Sequence, residues 1–95
     1  MKSSSSPLDA YSEIANEQLD LLERGPDIHL YNDILAVCER ILDDPQDVRK
    51  FSTVIQTKEG NRFRTSVPGK DPYKIFWSKT PEGLVRIEAV FPYPT

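Results

Sequence analysis

Four basic side chains, Arg62, Arg64, Lys74 and Arg86, have the types and spacing to do chemistry on an anion. Arg62, Arg64 and Ser66 alternate with Phe63, Thr65 and Val67. Residues two apart on a strand share a face, so the arginines point one way and the apolar residues the other. Lys74 and Arg86 stand at outward positions of two later β-like runs. A guanidinium grips a phosphate through two parallel N–H donors, and an ammonium meets it as a point charge. With Tyr73 or Trp77 beside them for stacking, these four would suit the phosphate backbone of RNA or DNA. Trp77 also alternates in step with Tyr73 and Ile75, and a core position is its commoner fate.

Binding is better supported than catalysis. Cutting RNA through its 2′-OH needs a base, an acid and stabilisation of the phosphorane. Arg64 and Lys74 supply the last of these. Arginine is effectively always protonated, and lysine must be desolvated to lose its proton. Tyr73 or Tyr93 would serve only with a strongly lowered pKa. Other chemistries lack their residues. The one histidine, His29, and the one cysteine, Cys38, lie nine apart and make no metal ligand set. On a helix that separation puts them on opposite faces, so Cys38 has no base and reads as a small buried hydrophobe. Asp43, Asp44 and Asp47 lack the spacing of a calcium loop and read as a solvated helix end. Pro68-Gly69-Lys70 is a hairpin turn with a basic tip, and no glycine-rich phosphate loop exists. No metal and no cofactor are expected.

Two helices and a meander must position the basic residues. Ninety-five residues allow one small domain. Residues 1–5 read as a serine-rich disordered tail, followed by a single α+β domain over 6–95. A helix is expected over about 7–24, capped by Ser6 with Pro7 in its first turn. Its apolar stripe is Leu8, Tyr11, Ile14, Ala15, Leu19 and Leu22. Gly25-Pro26 ends it, and Asp27 caps a second helix over about 28–43, closed by Asp43-Asp44-Pro45. Arg40 is the nearby base that can offset the acidic end. The period then becomes alternating, with strands at about 52–57, 62–67, 73–79 and 84–91. On the last of these, Val85, Ile87, Ala89 and Phe91 form one apolar face, with Arg86 and Glu88 outward. The fold class is therefore α+β, an antiparallel helix hairpin packed on a three- to four-stranded antiparallel β-meander. Residues 1–47 carry eleven acidic groups against three basic ones, and residues 48–95 carry nine basic against four acidic. A net charge of −3 thus hides halves of −8 and +5, and such asymmetry hints at contact with a polyanion.

The run from Phe63 to Val90 resembles the RelE/ParE toxin superfamily. Its first strand reads Phe63-Arg64-Thr65-Ser66-Val67, its second Tyr73-Lys74-Ile75-Phe76-Trp77, and its last Val85-Arg86-Ile87-Glu88-Ala89-Val90. A helix hairpin ending at Asp44-Pro45 precedes them in the family's order, so the resemblance covers about residues 8–92. It implies the toxin of a type II toxin–antitoxin pair, neutralised by a cognate antitoxin. One branch would act as a metal-independent mRNA endoribonuclease on the ribosome, and the other would inhibit DNA gyrase without nuclease chemistry. Carried over by position, Arg64 falls on the first basic catalytic position and Ser66 on the second, which is usually basic. Lys74 falls on the residue holding the scissile phosphate, and Tyr93 falls where a further arginine sits. The family's N-terminal strand and C-terminal acid/base tail have no counterpart here, which favours an inhibitor of the ParE kind or a degenerate member over an active nuclease. The alternative is a non-toxic protein-interaction module on the same fold, with the helix hairpin or an open sheet edge as its docking surface. A cytoplasmic location and an oligomer both accord with this reading. No segment has the apolar length of a membrane span or a signal peptide.

Overall fold

A computed structural model of the chain describes residues 10–92. Helix α1 (Glu13–Arg24) is capped by Ser12, whose Oγ accepts from the Ala15 amide at 3.0 Å. It ends where Gly25 N–H bonds Leu22 O at 3.2 Å. Helix α2 (Ile28–Asp43) is capped by Asp27 through the Leu30 amide. A single turn, α3 (Pro45–Arg49), follows. The sheet comprises β1 (Thr53–Thr57), β2 (Gly60–Ser66), β3 (Lys74–Lys79) and β4 (Val85–Phe91). Its order is β1-β2-β3-β4 and every neighbouring pair is antiparallel, the expected meander.

The helices cover one face of the sheet. Ala15, Leu19 and Leu22 of α1 and Ile34, Cys38 and Ile41 of α2 meet Phe63, Val67, Ile75, Trp77, Ile87 and Val90. Trp77 is fully buried and stacks on Phe63 with ring centroids 4.4 Å apart. Its indole N–H donates to Thr65 Oγ1 at 2.8 Å. Ser52 Oγ bonds both Val48 O at 2.7 Å and Thr65 Oγ1 at 2.6 Å. Because the Ser52 proton is given to the carbonyl, Thr65 must donate to Ser52. The relay therefore runs from Trp77 through Thr65 and Ser52 to the backbone of α3. No helix of the described residues is long and apolar enough to cross a membrane.

Four expectations are corrected. The first helix does not run through Tyr11 and Ser12. Tyr11 makes a parallel bridge to Ile87, and the Ser12 amide bonds Ile87 O at 2.9 Å. Tyr11 therefore touches the sheet edge by one isolated bridge, without forming a strand. The proposed cap, Ser6-Pro7, lies outside the described residues. Ile14 is 54% exposed, because Ala15, Gln18, Leu19 and Leu22 set the buried face of α1. Asp44-Pro45 does not simply stop the hairpin. Asp44 closes α2 and caps α3 by accepting from the Asp47 amide, with Pro45 in the first helical turn. Lastly, β4 carries a bulge. Trp77 faces Ile87 but Phe76 faces Ala89, so Glu88 is the extra residue. Past it the alternation flips, Val90 enters the core, and Ala89 and Phe91 turn to the outer face.

Candidate target-binding face

The sheet face away from the helices collects the basic residues. In β2, Phe63 and Thr65 are buried and Arg62 and Arg64 point outward. Ile75 and Trp77 are buried in β3, which leaves Lys74, Phe76 and Ser78 outward. The strand pairing then sets the rows. Arg62 stands opposite Ser78, which stands opposite Arg86. Arg64 stands opposite Phe76, and Phe76 opposite Ala89. Ser66 stands opposite Lys74, and Lys74 opposite Phe91. Neighbouring strands lie about 4.8 Å apart, so Arg62 and Arg86 stand about 10 Å apart at the backbone, with longer side chains to converge. All four expected phosphate-binding residues thus share one surface. Arg62, Arg64 and Lys74 are half-buried, and Arg86 is exposed.

Their surroundings hold what the sequence reading missed. Glu88, turned outward at the bulge, accepts the Ser78 hydroxyl at 2.7 Å and faces Arg62 Nη1 at 3.9 Å. It is the one acidic residue among the described outward positions of the four strands. A single carboxylate against four cations leaves the face basic. Lys74 Nζ donates to Ser66 Oγ at 3.3 Å, which tethers it over the face. An open groove of about 600 Å³ lies at the β3–β4 end, lined in part by Ser78, Thr80, Leu84, Arg86 and Glu88.

The aromatic residues of the face are Phe76 and Phe91, not Tyr73 or Trp77. Trp77 is in the core and Tyr73 packs against it. Phe76 and Phe91 meet edge to face, centroids 5.5 Å apart, and Phe91 is 45% exposed. Phe76 lies beside Arg64 and Lys74 in the β2–β3–β4 rows, so an aromatic surface adjoins the basic groups. Only the bulge brings Phe91 there, and no simple alternation signals it. Tyr93, the remaining candidate catalytic residue, lies outside the described residues.

The other candidate groups have structural roles or none. Asp47 pairs with Arg40 at 2.8 Å and Lys50 at 3.9 Å, while Asp44 caps α3. Among the described residues no group of three His, Cys, Asp or Glu could hold a metal ion. His29 is exposed on the first turn of α2. Cys38 is buried, and burial, then the charge of Glu39, pushes its thiol up to about 12. Burial also raises Tyr11 and Tyr31, aided by Cys38 and Glu39 at Tyr11 and by Glu23 and Glu39 at Tyr31. Both tyrosines lie on the helix side and both shift away from base chemistry. The face can therefore hold phosphates and stack bases, and the described residues include no free proton acceptor placed among its cations.

Comparison with protein-family models, with characterised proteins and with solved structures finds no match to this chain.

Proposed function

We propose that the chain is the toxin of a type II toxin–antitoxin pair, of the RelE/ParE kind. Its open sheet face binds a cellular target and a cognate antitoxin neutralises it. One observation carries this reading: Arg62, Arg64, Lys74 and Arg86 share with Phe76 and Phe91 a face that no other described element covers. Cations beside aromatic rings fit a phosphate-bearing single strand, such as mRNA on the ribosome, better than a protein target such as DNA gyrase. The chemistry favours occupation of that target over its cleavage, because the one carboxylate at hand already serves Ser78 and Arg62. A non-toxic interaction module is the second reading, favoured by the outer edge of β1, which no other described strand pairs.

Binding to a single-stranded RNA, titrated at several salt concentrations, tests the site. Each phosphate contact contributes about 0.7 to the log–log salt slope for single strands. Arg64→Ala with Lys74→Ala should weaken binding and lower that slope by about 1.4. An unchanged affinity and slope would remove both residues from the site. Parallel supercoiling assays with DNA gyrase distinguish the two targets, since inhibition there with no RNA binding assigns the protein target.

A further inference from the structure

We propose that a second copy of this chain docks on the outer edge of β1, so that two four-stranded sheets join into one of eight strands. The inference stands apart from the toxin reading and rests on how differently the two sheet edges are treated.

The β4 edge is closed. Ser12 takes Ile87 O through its amide at 2.9 Å and Glu88 O through its hydroxyl at 2.5 Å. Farther along, Gln18 does the work of a missing strand. Its Nε2 donates to Val90 O at 2.6 Å, and its Oε1 accepts the Val90 amide at 2.7 Å.

Among the described residues the β1 edge has no such cover. Val67 N–H bonds Tyr73 O, so Phe63, Thr65 and Val67 direct their backbone groups at β3. Arg62 and Arg64 therefore serve β1, where they pair with Ile55 and Thr53. It follows that Val54 and Gln56 direct N–H and C=O away from the sheet, and no other described strand pairs with them. Edge strands are usually guarded by lysine, proline or a bulge. Thr53-Val54-Ile55-Gln56-Thr57 has none of these, and Val54 is 46% exposed.

This edge complements itself. In an antiparallel pair centred on Ile55, Val54 of each copy exchanges two hydrogen bonds with Gln56 of the other. That register uses all the free groups of Val54 and Gln56, and only those. Thr53 meets Thr57, a favourable cross-strand pair, and Ile55 meets its own counterpart at the close, non-hydrogen-bonded spacing. No like charges face each other along the strand. Beyond it, Glu59 in the β1–β2 turn is carried towards the Lys50-Phe51 segment of the other copy, twice by symmetry. Lys50 is 75% exposed, with only a long 3.9 Å pairing to Asp47, and Phe51 is 61% exposed beneath the Arg40 guanidinium. A two-fold axis perpendicular to the sheet keeps the helix layers on one side and joins the basic faces on the other. The arginines of β2 then stand three strand spacings apart, roughly 14 Å, beyond the screening length of about 8 Å at physiological salt.

Sedimentation of the full chain over a wide concentration range tests the proposal, with cysteine pairing to fix the register. The wild-type chain should show a monomer–dimer equilibrium. Gln56→Pro deletes an N–H that points away from β2, and with it two contacts between copies, so dimerisation should weaken about tenfold. Ile55→Lys sets two ammonium groups opposite each other and should give monomer with an unchanged circular dichroism spectrum. On mild oxidation Ile55→Cys should form a dimer crosslink and Thr57→Cys should not, because Thr57 faces Thr53. A wild-type chain that stays monomeric at every concentration would overturn the proposal. So would folded Gln56→Pro and Ile55→Lys variants that dimerise as wild type does, or equal crosslinking at positions 55 and 57.

Discussion

Thr65 shows how much one hydroxyl can hold in this fold. It accepts the Trp77 indole N–H and donates to Ser52, which donates to the Val48 carbonyl. Removing that hydroxyl leaves a buried donor and acceptor unpaired, which costs about 1–3 kcal/mol. Thr65→Val should therefore destabilise by about that much in urea unfolding, and Thr65→Ser, which keeps the relay, by about 1 kcal/mol or less. Cys38 gives a prediction in pH. Its thiol stands at 9.0 ordinarily and about 12 in the fold, so the folded chain holds the proton more tightly. The stability this represents is whole below pH 9.0 and falls as pH rises through the window towards 12. Urea midpoints measured across that window should decline in the wild type and decline less in Cys38→Ala. The buried place of Cys38 was legible in the sequence from its apolar neighbours, as was the core alternative for Trp77. The relay was not, because Ser52, Thr65 and Trp77 meet only after three separate segments have paired.

Elements were legible where one period ran unbroken. Helix α2 has both an aspartate cap and a continuous stripe, and it lies where the sequence placed it. Helix α1 starts later than expected, because Tyr11 and Ser12 serve the β4 edge instead of a helical turn. The signal was present, since Ser12 followed by Glu13 is as good a start as Ser6-Pro7. Asp44-Pro45 likewise spelled a new cap and first helical turn as clearly as a stop. The bulge at Glu88 left no local signature, since Ile87, Ala89 and Phe91 alternate acceptably without it. Only Val90, which must be buried opposite Ile75, forces the shift. The edge device at Gln18 is testable at this scale. Gln18→Leu keeps the packing of α1 but strips both partners from Val90. It should cost about 2 kcal/mol or more and make the Val90 amide exchange with solvent far faster than in wild type. Wild-type exchange at Val90 in that variant would mean that Gln18 does not seal the edge.

At the scale of the whole molecule, the charge split of the sequence becomes a split between two sides. The acidic half is chiefly the surfaces of α1 and α2, which lie on one face of the sheet. Four of the nine cations of the basic half, Arg62, Arg64, Lys74 and Arg86, lie on the other. The molecule is 38 × 35 × 24 Å, and about 10 Å of packed core separates its layers. Charges on the two outer sides are screened from each other by the surrounding salt solution beyond about 8 Å, so a net charge of −3 does not cancel a locally basic face. The position of this face was readable from alternation, because Arg62, Arg64, Lys74 and Arg86 each stand next in sequence to a buried residue. Phe91 was not readable as part of it, because its outward turn depends on the bulge, whereas Phe76 alternates in step with Lys74. Toxicity is the property that most directly separates a target-binding face from an inert one. Growth should therefore be followed while the wild-type chain, and the chain carrying Arg64→Ala with Lys74→Ala, are each induced in a bacterial host at equal soluble levels. Arrest by the wild type, relieved in the double variant, is the predicted result. Normal growth with the soluble wild-type chain, or equal arrest by both, would contradict the account.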